Sequence, residues 1–146
     1  MKFVIAVLMG LSASFAMAQM PAQPSPENAN LYFITPTDGE TVSGPVTVKF
    51  GLEGMGVAPA GAFQNPSTLT QFPHTGHHHI IIDGELPPMN MPIPADETYV
   101  HFGTGATETT LDLAPGQHTL QLILGDALHM PHNPPVISDK ITITVE

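Results

Sequence analysis

From about Leu31 onward, apolar and polar residues alternate in short runs that Gly or Pro closes. In "VTVKFGL", Val46, Val48, Phe50 and Leu52 recur at every second position, with Thr47 and Lys49 between them. A period of two places each set on its own face of a β-strand. "HTLQLILGD" lines up Leu120, Leu122 and Leu124 in the same way, and "KITITVE" lines up Ile141, Ile143 and Val145. "LYFITP", "HHHIIID", "TYVHFG" and "TETTLDL" read as further strands, with turn signals such as "TDGE" and "APGQ" between elements. No stretch carries a helical period. About seven strands with regularly spaced turns predict an all-β fold, an immunoglobulin-like antiparallel β-sandwich. "PPMNMPIP" is excluded from a central strand, because proline has no N–H to give to a ladder. Residues 53–73 show no period, and a loop of that length in a compact domain is often functional.

The first thirty residues do not follow this pattern. "MKFVIAVLMGLSASFAMAQ" has a basic Lys2, an apolar run from Phe3 to Leu11 and small residues ending in Ala16-Met17-Ala18. That is the form of a secretory signal peptide over residues 1–18, cleaved after Ala18, and a bacterial periplasm is the expected destination. Residues 19–30, "QMPAQPSPENAN", are polar and rich in proline and are expected to form a disordered lead. A single sandwich domain is expected over 31–146. No run after the signal is long and apolar enough to span a bilayer.

Charge narrows the choice of partners. Without residues 1–18 the chain has 13 acids against Lys49 and Lys140, a net charge of −11 with neutral histidines, and no arginine. A nucleic-acid binder needs a basic face to neutralise phosphates, and none is available here. An acidic exported chain suits a metal ion or another cationic partner. There is no cysteine, so disulfides, thiolate ligands and a cysteine nucleophile are all excluded.

The candidate chemistry lies in histidine. Four of the eight histidines fall in "PHTGHHHIIIDG". On a strand, His77, His79 and Ile81 share one face while His78, Ile80 and Ile82 share the other, and the second set continues as aliphatic core. Two imidazoles two residues apart can lean toward one ion, although such pairs also occur on ordinary strand surfaces. "GDALHMPHNPPV" adds His129 and His132 on a connection stiffened by Pro131, Pro134 and Pro135. His101 sits in the short strand "YVHFG". The expected metal ligands are therefore His77, His79 and His129, with His101 or His132 completing the set. His118, at the turn end of a leucine-rich strand, reads as an end-packing residue, and His74 is left open. Met89, Met91 and Met130 are soft thioethers, which favours copper over zinc as the cofactor. A ligand imidazole must be neutral, so affinity is expected to fall as pH drops through about 6.5.

The runs "TGHHHIIIDGELP", "HFGTGATETTLDLAPGQHTLQLILGD" and "HMPHNPPVISDKITITV" keep an order and spacing that resembles the exported bacterial domain-of-unknown-function family four-three-nine-nine, over roughly residues 31–146. The name of that family assigns no activity, so the resemblance implies an exported domain and no chemistry. In its strand-and-turn pattern the chain is also similar to small periplasmic copper carriers. Fold-level likeness of that kind does not fix function. Three functions remain open: a periplasmic copper-binding or carrier protein, a structural or interaction module of the cell envelope, and a metal-dependent hydrolase. In the second, the histidines would bond backbone carbonyls. The third would use a three-histidine site with an open position. No G-x-S-x-G elbow or singled-out carboxylate pair supports an enzyme of another kind.

Overall fold

The seven runs of alternation each form a strand in the computed structural model, which describes residues 22–62, 65 and 71–146. The strands in chain order are β1 (Asn30–Thr35), β2 (Thr41–Val42), β3 (Val46–Glu53), β4 (Gly56–Val57), β5 (Thr75–Ile82), β6 (Tyr99–His101), β7 (Glu108–Leu111), β8 (Gly116–Gly125) and β9 (Ile141–Val145). The two-residue strands β2 and β4 are too short to show a period and were not visible in the sequence. The described residues contain no helix. The signal segment, residues 1–18, lies outside the described residues.

One sheet has the order β1-β3-β7, and its pairs are antiparallel. The other runs β2-β9-β8-β5-β4, with β6 also on β5. In it β5 pairs antiparallel with β8 and β6, and β8 with β9, while β2 and β4 add short parallel edges. The protein is thus the expected all-β sandwich. The inter-sheet disulfide and buried tryptophan that mark antibody domains have no counterpart, since the chain has neither residue.

Alternation decides what each face buries. Val46, Val48 and Phe50 of β3 meet Ile80 of β5, Leu120, Leu122 and Leu124 of β8, and Ile141, Ile143 and Val145 of β9. His78 lies on this inner face and packs on Phe50, with ring centroids 4.6 Å apart. The outer face of the larger sheet is covered as well. There Ile81 and Ile123 pack against Ile93, with Met89, Tyr99 and Ile137 around them. The proline-rich segment that cannot be a strand therefore serves as a cover over β5 and β8.

The expected disordered lead differs in its described part. From residue 22 the chain lies along the domain, because its backbone and side chains find partners there. Asn133 N–H donates to the Gln23 carbonyl (2.9 Å), Ser25 Oγ donates to the Pro134 carbonyl (2.6 Å), and Pro24 bridges to Asn133.

Candidate metal centre

Strand β5 presents His77 and His79 on the covered outer face, as the period of two requires. Register brings up the neighbours. His79 stands opposite His101 of β6, and His77 stands opposite Gly125 of β8. Glycine leaves room for the rings: a β-carbon on Gly125 would lie 2.9 Å from His79 Cε1 and 3.1 Å from Ile93 Cδ1.

His129 arrives from the loop after β8, with φ at +65°, a left-handed conformation unusual for a side-chain-bearing residue. Asp126 holds it there. Its buried carboxylate Oδ1 accepts the N–H of Leu128 (2.8 Å) and of Met130 (2.9 Å). Its carbonyl accepts the His129 N–H (2.9 Å), and its own N–H donates to the Met130 carbonyl (2.9 Å). An aspartate that ties its side chain to the following backbone makes a compact turn. The loop is pinned to the cover by Ile93 N–H, which donates to the His129 carbonyl (2.8 Å).

Four imidazoles converge as a result. The ring centroids of His77 lie 4.8 Å from His79, 4.9 Å from His101 and 4.9 Å from His129. His79 is 5.0 Å from His101 and 6.1 Å from His129, and His101 is 4.8 Å from His129. Donor nitrogens of His77, His101 and His129 all lie within 4.8 Å of one another, close enough to hold a metal ion. Nε2 of His101 and Nε2 of His129 face each other at 3.1 Å. Two nitrogens bound at about 2.0 Å to one tetrahedral ion stand roughly 3.3 Å apart, so this pair is already near ligand spacing.

His77, His78 and His79 are all fully buried, and none of their ring nitrogens has a hydrogen-bond partner. A buried, unpaired polar atom is costly and calls for an explanation. Burial is also the main cause of their pKa shifts. It pushes His77 down to about 3, with help from His129 and His101, and His79 down to about 2, with help from His77 and His101. It pulls His78 down to about 4 against a smaller opposing pull from the Ala106 backbone. His101 is also lowered, by burial and then by His129. His77, His79 and His101 are therefore neutral near pH 7 and able to donate a lone pair.

The structure brings together His77, His79, His101 and His129. Of the two residues expected to complete the set, His101 is the one placed there. His132 is buried beside them, but its Nε2 points to the Thr75 carbonyl at 3.1 Å. His118 is engaged at the far end of β8: Nδ1 donates to Asp83 Oδ2 (2.7 Å) and Nε2 to the Ala114 carbonyl (2.8 Å). Met89 packs with Ile81 and Ile93, and Met91 is exposed. Sequence reasoning missed Asp126 and Ile93. The Gly-Asp step ahead of "ALHMPH" was the available sign of a side-chain-capped turn.

A family model described as a domain of unknown function, DUF4399, matches residues 48–146. The chain belongs to that family. No curated protein and no solved structure matches it. No helix among the described residues is long and apolar enough to cross a membrane.

Proposed function

We propose that this member of the DUF4399 family is an exported, periplasmic carrier of a single metal ion, copper in preference to zinc, held by His77, His79, His101 and His129. The observation that carries this reading is the convergence of four imidazoles at a place where the ring nitrogens of His77 and His79 bond to nothing else. Histidines that served only as structure would spend their nitrogens on backbone carbonyls, as His132 does on Thr75. A site built from two strands and a braced loop is preorganised, which lowers the cost of collecting ligands around the ion. Imidazole suits copper of either valence, and export fits the amino-terminal sequence.

The test is elemental analysis of the protein recovered from the periplasm without a histidine tag, followed by thermal melts with added metal. Near-stoichiometric copper and a rise in melting temperature are expected, since a ligand that binds only the folded state stabilises it by mass action. The double substitution His77→Ala with His129→Ala should abolish the shift, and His118→Ala should leave it in place. A wild-type transition that no metal moves would overturn the reading. Export is checked by mass spectrometry of the recovered protein, which should begin at Gln19. An intact Met1 would overturn that part.

A further inference from the structure

The geometry points to a monovalent soft cation, Cu(I), as the cargo, in preference to Cu(II) or Zn(II). This inference rests on the metal-site reading above and is carried by two observations, the arrangement of the donors and the charge around them.

The six centroid distances among the four rings comprise five between 4.8 and 5.0 Å and one of 6.1 Å. A square of the same side would need two diagonals of roughly 6.9 Å, so the rings do not offer the tetragonal plane that Cu(II) prefers. They form a slightly opened tetrahedron, a shape that Cu(I) and Zn(II) both accept. His77 and His79 are fully buried in the middle of a sheet, so the cage cannot flatten without displacing β5.

Charge separates the two remaining ions. The groups whose charge acts on His77, His79 and His101 are all other histidines. The carboxylate on the loop that carries His129 belongs to Asp126. It is occupied by two backbone N–H groups and acts on His132 rather than on the cage. A bound ion therefore keeps its whole charge in a buried place. The solvation cost of a buried ion grows with the square of its charge, so a dication loses about four times what a monocation loses. Four neutral imidazoles do nothing to offset that difference. A dication would have to recruit hydroxide or chloride through the half-exposed side of the site, at His101 and His129. A monocation needs no such partner, and its charge is matched by the single negative charge of Asp126 nearby.

The test is a set of competition titrations of the full exported protein. The probes are Ag(I) as a redox-inert monocation, Cu(I) kept reduced under argon, Zn(II), and Cu(II). Ag(I) and Cu(I) should bind at least 100-fold more tightly than Zn(II). His101→Glu, which places a carboxylate at the half-exposed corner, should narrow or reverse that ratio. Zn(II) or Cu(II) binding as tightly as Ag(I) to the wild type would overturn the inference and leave the metal site standing. Binding of none of the four would overturn the metal site itself.

Discussion

Gly125 shows how closely the site is fitted at the scale of one residue. Its missing side chain is the space into which the His79 ring and Ile93 fit. Gly125→Ala should push His79 out of line and weaken metal binding at least tenfold, read by calorimetric titration. Unchanged affinity would mean that His79 is not a ligand. His118 offers a pH test away from the site. Its hydrogen bond to Asp83 raises its pKa above the usual 6.5. On Asp83, burial pushes upward, but the Thr119 N–H and His118 outweigh it and the net shift is downward. The His118 contribution is complete below its unfolded pKa and fades as pH rises through the folded value. The Asp83 contribution is present above its unfolded pKa and fades as pH falls through the folded one. The pair is at full strength between about pH 4 and 6.5. In denaturant melts from pH 6 to 9, His118→Gln should remove the alkaline loss of stability that this pair causes. Legibility at this scale was uneven. The faces of His77, His78 and His79 followed from a period of two. The choice of His101 over His132 depended on the pairing of β6 with β5 and on the path of the loop, which no local pattern encodes.

At the scale of elements, the loop from Asp126 to Met130 acts as a bracket for its one ligand. Asp126→Ala removes the acceptor of two backbone N–H groups and frees His129 from its left-handed conformation. A 10- to 100-fold loss of metal affinity is expected, in the range seen when a ligand loses its supporting group. Asp126→Asn keeps an oxygen acceptor and should recover most of that loss. If the two variants lose affinity equally, the bracket is not what positions His129. The strands themselves were legible because each buries an alternating face. The cover was half legible: proline excluded residues 87–94 from a central strand, but nothing local revealed that Ile93 would close over His79. The stretch at 53–73, read as one long loop, contains β4, whose two residues find their partner in β5 and not in their own sequence.

For the whole molecule, burying neutral histidines makes folding without metal sensitive to acid. His77, His78 and His79 titrate near 3, 4 and 2 in the folded protein, whereas an unfolded histidine titrates near 6.5. Below pH 6.5 the unfolded chain binds more protons, so stability falls with falling pH by up to about 1.4 kcal/mol per unit for each such group. The metal-free protein should therefore melt markedly lower at pH 5 than at pH 7.5, and a flat profile would contradict this burial. The same shifts revise the sequence expectation for binding. The buried ligands stay neutral well below 6.5, so affinity at pH 5.5 should remain within about tenfold of its value at pH 7.5 while the protein stays folded. The pin between Ile93 N–H and the His129 carbonyl has a further, kinetic consequence. An ion enclosed by two loops leaves only when they part, and loop opening belongs to the low-stability end of a protein's fluctuations. Hydrogen exchange at the Ile93 amide thus becomes a clock for the residence time of the cargo, and the two rates should slow together when metal is bound.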